Sequence, residues 1–228
     1  MGRLMKRFAL TVPFENLDVI HDTTWHLDEN SLFRKIVEND RGGMCYELNP
    51  LFFYILKGMG FRGQMIAATI DGNDTTMQNT HIASVVFHHD EPYLIDVGFG
   101  MNLPLQPLPL TGEWVHSITG NYRVVKTDIC GTYRFEKHKN GTLKMSYTFT
   151  LAAIDETAMN EARDAVHTSA ASPFNKAYLM SKLTDQGHMT LTETSYTTVI
   201  DGEKHKKDID QETFRKLSQQ KFSLHFEG

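Results

Sequence analysis

Two hydrophobic periods divide the chain. Over 48–61 the apolar residues Leu51, Phe52, Ile55, Leu56 and Met59 recur at helical spacing. Pro50 lies inside that pattern and removes one backbone hydrogen bond, so a kink or a late start is expected there. A shorter helix is predicted over 31–38, capped by Asn30 or Ser31, with Leu32, Phe33, Ile36 and Val37 as its inner face. Ahead of it, 11–19 reads as extended at its start, because the residue before Pro13 is disfavoured in the helical region.

Past residue 61 the apolar period shortens to two. Strands are predicted over 62–70, 81–87 and 93–97, separated by turns at 71–74 and 88–92. Pro104, Pro107 and Pro109 make a stiff connection. Further strands are predicted over 122–126, 132–138 and 142–151, and Asn140-Gly141 is the strongest hairpin signal in the chain. Residues 62–151 therefore read as an antiparallel sheet or barrel. A helix follows over 155–166, then a break at Ser172-Pro173-Phe174. Strands are expected within 189–200, a turn at Asp201-Gly202 and a return over 205–209. A helix over 210–219, with Phe214 and Leu217 inward, closes the chain. The pattern is α+β, with no internal repeat. It divides at 1–61, 62–151 and 152–228.

Bulk properties narrow the function. The 228 residues are 40% hydrophobic, enough for a packed interior, and the net charge is −5. That balance offers no argument for nucleic acid or for an anionic membrane surface. No apolar run approaches the roughly 20 residues that span a bilayer. Two cysteines in a chain this long make no disulfide framework, so a reducing cytoplasmic setting with free, reactive thiols is expected. The histidines and acids lack metal-ligand spacing, so no metal is expected.

One cysteine stands out. Cys45 follows Arg41-Gly42-Gly43-Met44 at the start of the helical pattern. Unpaired N–H groups and the positive end of a helix dipole favour a thiolate at such a position. The two glycines leave open space for an incoming carbonyl. A buried, inert Cys45 is the competing reading of this stretch by itself. A nucleophile needs a base and an orienting group. Most of the 11 histidines fall where solvent is expected, but His81 opens an apolar strand. Asp96 interrupts the apolar run Leu94-Ile95-Asp96-Val97 on the hairpin partner, where an unpaired acid is costly. Pairing His81 with Asp96 centres the turn at His88-His89, so the two are expected to face each other across adjacent strands. The carboxylate would hold one ring nitrogen and leave the other for the sulfur.

The motifs resemble those of the arylamine N-acetyltransferases. The hallmark Arg-Gly-Gly-x-Cys-x-Glu-x-Asn is met at Arg41, Gly42, Gly43, Cys45, Glu47 and Asn49. A Pro-Phe-Glu-Asn-Leu-Asp motif stands at Pro13 to Asp18 and an Asp-Val-Gly-Phe-Gly motif at Asp96 to Gly100, with His81 between them. The resemblance implies a cysteine-proteinase-like core in three parts: a helical N-terminal region bearing the cysteine, a central β-barrel bearing histidine and aspartate, and a C-terminal α/β lid. It implies a catalytic triad of Cys45, His81 and Asp96, and a double displacement through an acetyl-cysteine thioester. Acetyl-CoA would be the co-substrate and arylamines or arylhydrazines the acceptors. Phe14 and Phe99 match positions whose rings line the amine pocket. Met77, Gln78 and Thr80 lie on the loop before His81, which touches CoA or substrate in relatives, and Gly100 is a candidate for CoA contact. Glu15 and Arg41 match a buried ion pair that supports the cysteine loop. Only twelve residues precede Pro13, where relatives carry further helices. The expectation is exposed apolar surface in the helical region, or association between copies that covers it. Two rival readings share these residues: a transglutaminase-like or other cysteine acyl hydrolase, and a truncated relative that binds ligand without reacting.

Overall fold

The computed structural model describes residues 1–225. Helix α1 (Gly2–Thr11) leads into a short strand β1 (Phe14–Glu15) and a single helical turn α2 (Leu17–Ile20). Helix α3 (Glu29–Phe33) continues into a π-helical turn over Arg34–Glu38, and α4 (Cys45–Gly58) follows. Strands β2 (Arg62–Ile70), β3 (His81–His88), β4 (Glu91–Ile95), β5 (Leu108–Pro109), β6 (Val115–Ser117), β7 (Gly120–Lys126), β8 (Thr132–Lys139) and β9 (Thr142–Thr150) form one antiparallel sheet. Its order is β5-β4-β3-β2-β9-β8-β7-β6, and contacts between β5 and β7 bring its two edges together as a barrel. Helix α5 (Glu156–Thr168) crosses over α4 and β3. Strands β10 (Leu179–Thr184), β11 (Gly187–Thr192), β12 (Ser195–Ile200) and β13 (Glu203–Asp208) form a second antiparallel sheet, backed by α6 (Gln211–Phe222). Strand β1 joins this sheet beside β10, pairing Phe14 with Ser181 and Glu15 with Met180.

The cores follow from these faces. Ile66, Val85, Leu94, Val124, Phe135 and Tyr147 fill the barrel. Leu32, Met44, Leu48, Leu51, Met159 and Val166 pack the helices on the other side of β2 and β3, where Ile82 faces them. Leu17, Met180, Leu191, Phe214 and Phe222 seal the second sheet.

Several expectations need correction. Residues 2–11 are helical; only Met5 and Ala9 of that helix are fully buried, which leaves a weak apolar stripe in the sequence. The cap of α3 is Asp28, whose carboxylate accepts the N–H groups of Asn30 and Ser31 at 3.0 Å. The π turn then rotates the face predicted to be inward. Lys35 is fully buried while Phe33 and Val37 are 46% and 47% exposed. Pro50 neither delays nor ends α4, which begins at Cys45. Met59, predicted inward, is exposed beyond its C-terminus. Strand β10 falls in a stretch with no predicted strand, while the strands expected within 189–200 are β11 and β12. The β3–β4 hairpin turns tightly at His89-Asp90 and pairs Ser84 with Ile95, two residues away from the predicted register.

Candidate active site

The N-terminus of α4 is set by packing. Gly43 bridges to Phe14, its carbonyl accepting the Glu15 N–H at 3.1 Å. A Cβ at Gly42 would stand 2.1 Å from the Pro13 carbonyl oxygen, and one at Gly43 would stand 2.6 Å from Glu47 Oε2. The glycines thus let the loop press against β1 and Glu47; clearing a path to the sulfur, the role expected of them, is not what the contacts show. Glu47 accepts the Met44 N–H at 2.9 Å, closing the first turn of α4 around Cys45. The Cys45 sulfur donates to the carbonyl of Thr80 at 3.6 Å.

His81 begins β3 and Asp96 lies just past the end of β4. His81 Nε2 stands 2.7 Å from Asp96 Oδ2, with both side chains buried. The contact forms although the two residues are not directly opposed: the ladder ends at Ser84–Ile95, and the chain turns Asp96 back towards the start of β3. Asp96 accepts three further hydrogen bonds, from Tyr147 at 3.0 Å, Asn49 at 3.0 Å and the Gly98 N–H at 3.0 Å. Burial opposes its ionisation, but His81 and these donors hold its pKa below the ordinary carboxylate value. Burial likewise opposes the His81 imidazolium, yet Asp96, through charge and hydrogen bond, and the hydrogen-bonded Cys45 side chain raise its pKa to about 10. With Nε2 on Asp96, the remaining ring nitrogen is the one available to Cys45. The rings of Phe99 and Tyr147 flank the imidazole, with centroids 4.8 and 4.9 Å away.

Two members of this array were not singled out from sequence. Asn49, one turn after Cys45, donates to the Ile82 carbonyl at 2.7 Å and accepts the Val97 N–H at 2.8 Å besides holding Asp96. It thereby ties the cysteine helix to both strands of the dyad. Its place in the Arg-Gly-Gly-x-Cys-x-Glu-x-Asn motif was the available signal. Tyr147 is an inward residue of β9, and nothing local separates it from an ordinary core aromatic. Gly98 is explained by close approach: a Cβ there would meet Asn49 Nδ2 at 2.7 Å and Cys45 Cα at 2.8 Å.

A second buried array lies behind the cysteine loop. Arg41 pairs with Glu15 at 2.9 Å and Asp18 at 2.9 Å. Lys35 reaches Asp18 at 2.6 Å and Glu47 at 2.5 Å. The expected Glu15–Arg41 pair is thus one end of a five-residue chain. Glu15 Oε2 also accepts the Leu17 N–H at 2.7 Å. Burial works against the Lys35 ammonium, but Glu47, Glu15 and Asp18 keep it more basic than a free lysine.

A cavity of about 290 Å³ opens above Cys45 and His81. Phe14, Met77, Thr80, Phe99 and Gly100 all line it; Gln78 is exposed on the same loop and does not. Phe174, Leu179, Ser181 and Thr190 from the C-terminal part of the chain also line the cavity. Among the described residues no cluster of His, Cys, Asp or Glu could hold a metal ion, and no helix is long and apolar enough to cross a membrane.

A family model described as N-acetyltransferase matches residues 1–228. An uncharacterised acetyltransferase, YvcN, of Bacillus subtilis is 34% identical over 97% of this chain and 88% of its own length. The arylamine N-acetyltransferase / N-hydroxyarylamine O-acetyltransferase of Salmonella typhimurium is 29% identical over 93% of this chain and 77% of its own. Among solved structures, an arylamine N-acetyltransferase from Bacillus cereus superposes with a TM-score of 0.91 at 37% identity, covering 99% of this chain and 90% of that one. That protein is described with a Cys-His-Glu triad; the acid on the histidine here is Asp96. The three-part architecture, the two sheets and the whole-chain match agree, and the chain belongs to the arylamine N-acetyltransferase family.

Proposed function

We propose that this protein transfers an acetyl group from acetyl-CoA to the nitrogen of an arylamine or arylhydrazine, through an acetyl-Cys45 thioester. The observation that carries the reading is the junction of Cys45 and the His81–Asp96 dyad at the base of a largely apolar cavity. In the first half-reaction the Cys45 thiolate attacks the acetyl carbonyl. The C–S bond to CoA breaks, and CoA leaves as its thiol with the proton from the His81 imidazolium. In the second, the amine attacks the thioester while neutral His81 takes the amine proton. The Cys45 thiolate departs and the imidazolium is restored. Asp96 stays ionised and orients the ring. The Cys45 N–H, in the first turn of α4, would donate to the oxyanion. Phe14, Phe99 and Thr80 would meet the acceptor. Met77 and Gly100 would meet the thioester end of CoA, and Gln78 the part of CoA outside the cavity.

Intact-mass measurement tests this. Incubation with acetyl-CoA is expected to add one acetyl group, lost on addition of an aromatic amine and never gained by Cys45→Ser. Cleavage of esters or peptides with acetyl-CoA ignored would point to a cysteine hydrolase. No covalent gain at all would point to a relative that only binds ligand.

A further inference from the structure

We infer that the cavity above Cys45 selects acceptors by charge: it admits aromatic amines with uncharged substituents and turns away those bearing a carboxylate. The inference rests on the acetyl-transfer reading for the nature of the acceptor and adds the class of ring the site selects.

Among the described residues, no Asp, Glu, Lys or Arg side chain lines the cavity. Among those residues His81 is the ionisable basic group of the lining, and the charge of its ring is balanced by Asp96, which lies outside the lining. The cation bonded to this wall from behind is Lys137. Its Nζ donates to the Met101 carbonyl at 3.1 Å and to Asn102 Oδ1 at 3.0 Å, and it opens on a neighbouring cleft. Those two bonds tie the ammonium to the Met101–Asn102 loop, and Lys137 itself is not part of the cavity lining. A carboxylate entering the cavity would exchange its hydration for neutral donors alone, the hydroxyls of Thr80, Ser181 and Thr190 and the amides of Asn73 and Asn102, with no unpaired cation to balance its charge.

The same walls suit a neutral ring. Met44, Met77, Met101 and Met145 present four flexible thioethers, which adapt to ring shape and make favourable contacts with aromatic edges. Phe174 and Leu179 complete the apolar surface. Ser181 offers a hydroxyl to a neutral polar substituent, such as an ether or an ester oxygen. Acceptance of the ring and rejection of charge therefore come from the same residues.

The test compares 4-aminobenzoate with its methyl ester, which share a ring and an amine para to a carbonyl group. Calorimetry on the wild-type protein measures binding of each, and rapid mixing measures their consumption of acetylated enzyme. The ester is expected to bind and to react about tenfold better or more, the equivalent of at least ~1.4 kcal/mol. Equal or better performance by the acid would overturn the inference. In Leu179→Arg, and independently in Met145→Lys on the opposite wall, the acid-to-ester binding ratio should rise by about tenfold. An unchanged ratio in both folded variants would overturn it as well. Preference for the ester in calorimetry, with no acetylation of Cys45 by acetyl-CoA, would uphold charge selection and reject the transfer reading.

Discussion

Two buried polar arrays meet at the N-terminus of α4, and they are built on opposite plans. The chain Glu15–Arg41–Asp18–Lys35–Glu47 joins three carboxylates to two cations. Its surplus negative charge is met by the N–H groups of Leu17 and Met44 at helix starts. Every member is held by an ion pair, so the array works as a fixed brace behind the cysteine loop, although burial raises the Glu47 pKa above its ordinary value. The His81–Asp96 dyad has one cation site and one anion, and its other donors are neutral: Tyr147, Asn49 and the Gly98 N–H. Neutral donors orient Asp96 and leave His81 as the partner that would exchange a proton with a reactant in the proposed transfer. The contrast teaches where the fold keeps charge rigid and where it keeps charge mobile.

The sharpest way to break the contrast is Asp96→Asn. We expect acetylation of Cys45 to slow by about 10³-fold or more while the protein remains folded, read by rapid-quench intact mass. The same variant should alter the pH profile of stability. The folded His81 pKa, about 10, lies above its unfolded value, near 6.5. Its stabilising contribution is therefore complete below about pH 6.5 and is lost as pH rises towards 10. Urea unfolding between pH 6 and 10 should show that decline in the wild type and a flatter line in Asp96→Asn. A parallel decline in both proteins would mean that His81 draws its charge stabilisation from elsewhere.

The rigid array is expected to answer on the other axis. Lys35→Met leaves Asp18 and Glu47 without a shared cation in a buried setting, a loss of about 3–5 kcal/mol in unfolding free energy. Adding Glu47→Gln to it should recover part of that loss, because the orphaned charge is removed. A Lys35→Met protein of undiminished stability would show that this cluster is not held by its ion pairs. The smallest effect separates the neutral donors of the dyad. Tyr147→Phe removes one hydrogen bond to Asp96 and should cost about 1 kcal/mol, with a modest fall in acetylation rate.

The site's chemistry was more legible in the sequence than the geometry that assembles it. Cys45, His81 and Asp96 were each marked by a local anomaly: a thiol after two glycines, a histidine opening an apolar strand, an acid inside one. Their convergence is seen, but the hairpin register that was expected to bring it about is displaced by two residues. The approach depends on where the ladder stops, which side-chain alternation does not encode. The barrel strands were plain because their turns carry Asp-Gly and Asn-Gly signals; 62–70 and the Asn140-Gly141 hairpin stand as predicted. Helix 2–11 and strand 179–184 were missed because their buried positions are few or do not alternate. Lys35 was invisible for a different reason. A π turn adds a residue to the helical repeat, and a face calculated at 3.6 residues per turn then points the wrong way.

Strand β1 carries a consequence for the growing chain. Phe14 and Glu15 belong to a sheet whose neighbouring strand, Leu179–Thr184, is made more than 150 residues later. The wall of the cavity formed by Leu179, Ser181 and Thr190 arrives with it. A nascent chain can close its barrel early, through hairpins of nearby strands, yet its site stays open on one side until residues 179–190 have emerged. The acyl chemistry proposed for Cys45 therefore awaits the strands that carry Leu179, Ser181 and Thr190, and a polypeptide released before residue 179 would carry Cys45 without that wall.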